Sequence, residues 1–334
     1  MKFRLNRGGR YHLAMSFLSL LFALLIEQTR PLTRGNWVHK SVRAWVTWIS
    51  QTLDAGHPKL AWLTWSLAVG LPAVLAVIVH WTLLWFLGWP IAMIWSVAVL
   101  YVTLGFRQFS HHFTDIRDAL DVGDERLARE LLAEWQHVSV GSLPRSELLR
   151  HVIEHSVLSA HRHVFGVLAW FSVMAALGLG PAGAVLYRMS DMVSRAWQST
   201  TKPNKGWISQ ALQTVAVTAW RRVDWLPSRL TAIAFAVVGN FEDAIDCWRH
   251  HSQRFPEDND GVVLSATAGA LNVRLGGEAL PMAGDLEIES QGGESTPGQT
   301  PEMAHLSSVV GLVWRSVVMW MVLLALLTLA RLLG

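Results

Sequence analysis

From Ala61 to Phe106 the chain is almost continuously apolar, and only Gly88-Trp89-Pro90 interrupts the run. About 20 apolar helical residues cross a bilayer, so this stretch is long enough for two spans, about 60–86 and 90–106. Gly and Pro at the interruption make a hairpin break. Pro72, inside the first span, predicts a kink rather than a stop. Three further apolar stretches follow the same logic: about 11–26, about 307–330, and a segment at 164–187 broken by Gly178-Leu-Gly-Pro181. Charged residues make up 16% of the 334-residue chain, against roughly 25% in soluble proteins. Eighteen Trp stand against three Tyr, many of them flanking apolar runs, where amphipathic rings favour a membrane interface. The sequence therefore predicts an all-α, polytopic integral membrane protein, organised as one membrane domain over residues 1–334.

The net charge of +3 is small and its excess is local, which argues against nucleic acid as a partner and for the lipid bilayer. Lys2, Arg4, Arg7 and Arg10 precede the first apolar run in the manner of a cytoplasmic tail. A cleavable signal peptide is the rival reading. That run lacks a small-residue cleavage site and ends in Glu27, so a retained anchor is expected. Arg30, Arg34, Lys40 and Arg43 lie on its other side, which leaves the orientation of the first span open. Cys247 stands alone, so neither an intrachain disulfide nor a Cys-rich metal site can form.

Residues 107–163 change character. Ile116, Leu120, Leu127, Leu131 and Leu132 recur at helical intervals between charges, which predicts amphipathic helices at the membrane face. Asp121-Val-Gly-Asp124 is a turn signal between two of them, and Ser142 to Pro144 marks a break before a helix starting near Ser146. STTKPNKG (199–206) reads as a polar linker. Residues 276–304, rich in Gly, Glu, Ser, Thr and Pro, read as a mobile loop.

Three motifs bear chemistry. His151, Glu154 and His155 have the H-x-x-E-H spacing of inverted zinc proteases, in which two histidines one helical turn apart hold Zn²⁺ and the glutamate is the base. His161, His163, His111 and His112 lie nearby, so the spelling is read as interfacial histidines with one helix-face glutamate. Asp224 and Arg229 bracket Pro227 ahead of an apolar helix. An arginine at a helix start opposes the helix dipole, so it needs an anion, either Asp224 or a bound phosphate. Asp258, Asn259, Asp260 and Gly261 form an acidic turn suited to Mg²⁺. It is followed by small residues including Gly269 that permit close packing or the approach of a large ligand. No Walker A or dinucleotide fingerprint occurs.

Taken in chain order, ALDVGDERLARELL (119–132), VIEHSV (152–157), GLGPAGAVLYR (178–188), DWLPSRLTAIAF (224–235) and DNDGVVLSATAGALNVRLGG (258–277) resemble the CobD/CbiB family of cobalamin-biosynthesis membrane proteins. The resemblance implies an inner-membrane adenosylcobinamide-phosphate synthase. Such an enzyme joins a corrinoid, adenosylcobyric acid, to an aminopropanol-type phosphate by ATP-dependent amide formation with Mg²⁺. It implies catalytic roles for Glu154, Asp224 and Arg229, and substrate contacts at Asn259, Asp260, Gly261 and Gly269. Glu154, Asp258 and Asp260 would be the Mg²⁺ donors. DWLPSRLTAIAFAVVGNFEDAIDCW also resembles the AmpE family, which implies as the alternative a non-enzymatic inner-membrane signalling protein. A membrane zinc protease is the third reading.

Overall fold

The structure, a computed structural model, describes residues 2–29, 37–136, 143–198, 208–277 and 294–333. Among them it is helical throughout, with two isolated β-bridges, so the chain is the expected all-α protein. Three helices, Pro58–Phe86, Arg145–Ala176 and Met303–Ala330, are long and apolar enough to cross a membrane, and Met15–Thr29 and Trp89–Thr103 are shorter apolar helices. The protein is a multi-pass membrane protein.

The chain divides into two compact units, each assembled from separated segments. The first comprises residues 1–105, 166–227 and 323–334, and the second 106–165 and 228–322. In the first unit lie α1 (Lys2–Thr29), α2 (Trp37–Leu53), α3 (Pro58–Phe86) and α4 (Trp89–Thr103). Pro58 opens α3 at a position where the missing N–H costs nothing, and the ring of His57 accepts a hydrogen bond from the backbone N–H of Lys59 at 3.3 Å. The buried face of α3 carries Ala61, Ala68, Ala73 and Ala76, while Leu63, Leu71, Leu75, Ile78 and Trp85 face outward. Small residues inside and large ones outside reverse the pattern of a soluble helix, and they let backbones approach where lipid covers the rest.

The broken segment at 164–187 resolves into two helices. α7 (Arg145–Ala160) runs through a π-helical turn, His161–Phe165, into α8 (Gly166–Ala176); after the turn at 177–181, α9 (Ala182–Gln198) begins. α8 and α9 pack closely within the first unit, because a Cβ at Gly166 would overlap the Tyr187 ring and one at Gly183 the Trp170 carbonyl.

The second unit holds α5 (Phe106–Asp121), α6 (Glu125–Gln136) and α7. The turn at Asp121–Asp124 lies where the sequence predicts it, with Asp124 Oδ1 accepting from the N–H of Leu127 at 3.0 Å as an N-cap. Ile116, Leu120 and Leu132 are buried as expected; Leu127 is 43% exposed, because it follows the cap on the outer face of α6. α10 (Gln210–Val238) corrects a larger expectation. It is one continuous 29-residue helix with Pro227 inside it, so DWLPSRL lies mid-helix and Arg229 is not at a helix start. The dipole conflict inferred from the sequence is therefore absent. α11 (Phe241–His251) leads through a 3₁₀ turn, Ser252–Arg254, to α12 (Asp258–Leu271), and α13 (Met303–Leu333) follows. The linker at 199–206 and most of the loop expected at 276–304 lie outside the described residues, as do the side chains of His111 and His112.

Candidate functional site

α7 places four polar side chains along a helix whose other residues pack inward. Arg150 sits at their centre with only 5% of its side chain exposed. Its Nε donates to Glu147 Oε2 at 2.8 Å and its Nη1 to Glu154 Oε1 at 3.1 Å. Its Nη2 meets His151 Nε2 at 3.0 Å. A guanidinium can only donate, so that ring nitrogen must be the bare acceptor. Glu154, 15% exposed, also receives the backbone N–H of Gly276 at 2.7 Å. Gly276 offers that N–H from a φ of +80°, a conformation favouring glycine. Its segment is fixed by a bridge from Gly276 to Ser295 and by the Thr296 N–H donating to the Leu275 carbonyl at 2.7 Å.

Two turns further on, three bonds tie three elements of the second unit together. His161 Nδ1 lies 2.9 Å from Thr231 Oγ1 on α10. Arg162 donates through Nη2 to Asp260 Oδ2 on α12. Arg229 Nη1 on α10 donates to Asn259 Oδ1 at 3.1 Å. Two arginines thus converge on adjacent residues in the first turn of α12, where unsatisfied backbone N–H groups already favour negative charge. The π turn supplies His161 and Arg162. Such bulges realign side chains that an uninterrupted α-helix would turn elsewhere. Phe165 meets Phe235 edge-on at 5.4 Å behind this set, and Ala232, Val262 and Ala266 pack α10 against α12.

The expected site residues separate into groups. Glu154, Arg229, Asn259 and Asp260 belong to the second unit and to the bonds just described. Asp224 belongs to the first unit, fully buried, where Tyr187 Oη donates to its Oδ1 at 2.8 Å. Gly261 and Gly269 have a packing reason for being glycine. A Cβ at Gly261 would overlap the Ser252 carbonyl, and one at Gly269 the Asp243 carbonyl, so α12 lies flush against α11 and its 3₁₀ extension. Sequence reasoning gives no role to Arg150, Arg162, His161 or Thr231. The available signal was the survival of lone cations in an apolar helix, with Arg150 at i,i+4 spacing to Glu154.

Neither metal set weighed from the sequence, the Mg²⁺ donors nor the zinc-protease spelling, forms a metal centre among the described residues. His151 gives Nε2 to Arg150, and the His155 ring packs edge-on to Trp135 at 4.3 Å, so the zinc-protease spelling is not a zinc site. Among Glu154, Asp258 and Asp260, the first is held by Arg150 and the third by Arg162. Mg²⁺ needs anionic oxygens free to face it. Among the described residues no three His, Cys, Asp or Glu are grouped to hold a metal. The residues present do not fit a Mg²⁺ site; they present cations at a helix start.

Comparison with known proteins gives a consistent result. The family model described as CobD/Cbib protein matches residues 20–329. The chain is 29% identical over 264 residues to the "Cobalamin biosynthesis protein CobD" of Stutzerimonas stutzeri (strain A1501), covering 78% of this chain and 79% of that protein. The "Cobalamin biosynthesis protein CobD" of Chromobacterium violaceum is 31% identical over 229 residues, 67% of each chain. That of Leptospira interrogans is 25% identical over 239 residues, 67% of this chain and 71% of its own. No solved structure matches.

Proposed function

The chain belongs to the CobD/CbiB family of cobalamin-biosynthesis proteins of the bacterial inner membrane, and on that premise we propose that it catalyses the family's amide-forming step. In this reading the carboxyl group of adenosylcobyric acid is joined to the amine of an aminopropanol-type phosphate. ATP is the co-substrate whose cleavage drives loss of the carboxyl oxygen. The attacking amine must lose a proton as the C–N bond forms, and Glu154 is the residue assigned to receive it. Arg162 and Arg229, beside the start of α12, are assigned to the phosphate of the amine substrate, replacing their present bonds to Asp260 and Asn259. Asn259, Asp260 and Gly261 line or support that end of α12, whereas Gly269 lies in its last turn and is assigned a substrate contact by the family pattern alone. Asp224, in the first unit, is assigned a catalytic part by the family pattern alone. No step is routed through Mg²⁺.

The observation that carries this reading is the convergence of Arg162 and Arg229 on the first turn of α12, on the same helical framework as Glu154. Expression in a strain lacking the step should restore growth on cobyric acid plus the aminoalcohol, and Glu154→Gln should abolish the rescue. A specific observation favours the second reading, a non-enzymatic AmpE-like signalling protein: Glu154 and Asp260 are each already matched by an arginine. Failure of the wild-type chain to rescue, with expression and membrane insertion verified, would decide for that reading.

A further inference from the structure

The first unit holds a polar cavity that uses none of the residues assigned above. Its walls come from α1, α3, α4, α8 and the turn at 177–181. Ser16, Ser19, His80 and Ser96 line it, together with Met15 and Phe171. His80 lies on the apolar helix α3, about 9 Å from its Phe86 end. Leu75, Ile78 and Trp81 on the same helix face outward, whereas His80 is 2% exposed and turned into the bundle, where intramembrane polar groups gather. Its ring lies against the bare backbone of Gly180, at a φ of +59°, where an added Cβ would overlap the imidazole.

Ser19 shows what the cavity is built to hold. Its side chain is fully buried, and its hydroxyl has no hydrogen-bond partner in the protein among the described residues. Hydrocarbon offers such a group nothing, so a buried hydroxyl between membrane helices needs an acceptor within the protein. Ser96 donates its O–H to the Ala92 carbonyl at 3.0 Å, which leaves its oxygen as an acceptor. The cavity measures about 10 Å³ for the centre of a water molecule, which is room for one water. No carboxylate lines it, so a cation would find no countercharge there. Cavities of this size stay dry when their lining is apolar, but three hydroxyls and an imidazole supply the two to four polar partners that an internal water requires.

We propose that this cavity is an internal water site, in which one water molecule accepts the Ser19 O–H and is shared with Ser16, His80 and Ser96. The water links hydroxyls of α1 and α4 to the imidazole of α3, inside helices whose outer faces are apolar. It satisfies the one lining hydroxyl that the protein leaves unmatched.

The test is radiolytic footprinting of the full-length protein in a non-ionic maltoside detergent. Short X-ray pulses in ¹⁸O-labelled water create hydroxyl radicals wherever water is bound, and mass spectrometry locates the label. Phe171 and Phe165 are equally buried, at 1% exposure, but only Phe171 lines the cavity. Phe171 should therefore be labelled rapidly while Phe165 stays unlabelled. Ser19→Val removes the hydroxyl and fills the space, so labelling of Phe171 should fall to the level of Phe165 while the far-ultraviolet circular dichroism stays unchanged. If Ser19→Val does not fold, Ser19→Ala decides, since losing the donor without adding volume should still slow labelling of Phe171. Labelling of Phe171 no faster than that of Phe165 in the wild type, or labelling unchanged in the folded Ser19 variants, overturns the proposal.

Discussion

Replacing Arg150 by Met tests whether the α7 network is as tightly coupled as its geometry implies. Arg150 holds Glu147, Glu154 and His151 at 2.8, 3.1 and 3.0 Å, and its side chain is 5% exposed. Met keeps much of the apolar volume and removes the charge, leaving Glu154 buried with the Gly276 N–H. Breaking a buried ion pair by removing one partner costs about 3–5 kcal/mol, because the remaining charge has lost its compensation. Glu147 keeps 41% of its side chain exposed, so solvent screens its loss and its share is below about 1 kcal/mol. The expected loss is therefore about 3 kcal/mol. Changing Glu154 to Gln in the same chain removes the orphaned charge, so the double variant should regain about 2 kcal/mol of it. Unfolding is followed by far-ultraviolet circular dichroism as the denaturing detergent fraction rises, for the wild type, both single variants and the double. A loss under about 0.5 kcal/mol for Arg150→Met, or strictly additive single effects, would refute the coupling.

Gly269→Val should cost about 3 kcal/mol, since its branched side chain would have to displace the Asp243 carbonyl and separate α11 from α12. Gly311→Ala on α13, where an added Cβ meets nothing, should instead be neutral or stabilising by up to about 1 kcal/mol. The same unfolding measurement compares the two. Cys247 is buried, and burial pushes its thiol up to about 11. At pH 8 about one molecule in a thousand then carries the reactive thiolate. Iodoacetamide should leave the folded protein unlabelled over an hour at pH 8 and modify it fully after denaturation. Fast labelling of the folded protein would show that α11 does not pack as described.

Much of the fold was legible because its signals are local. The Gly88-Trp-Pro90 break, the Gly178–Pro181 break and the Asp121–Asp124 turn each mark a helix end through backbone preference, and all three occur where expected. DWLPSRL misled for the same reason. Pro usually signals a boundary, but neighbouring helices can satisfy the carbonyl that it frees, and α10 continues through Pro227. The candidate site was legible only in part. Glu154, Arg229, Asn259 and Asp260 stand out as ionisable or polar residues beside apolar helices, whereas their partners are set by distant pairings. Arg162 meets Asp260, and Glu154 meets Gly276, across gaps in the chain that no periodicity records.

The sequence by itself determined that this is an all-α, multi-pass membrane protein of the CobD/CbiB family, because bilayer crossing depends on apolar length and family identity on ordered motifs. Tertiary structure decided what each charge does. An H-x-x-E-H spelling became a glutamate clasped by an arginine and a backbone N–H. The acidic turn thought suited to Mg²⁺ became the meeting point of Arg162 and Arg229. The physical reason is that a buried charge takes its role from whatever neutralises it, and that partner is chosen by packing.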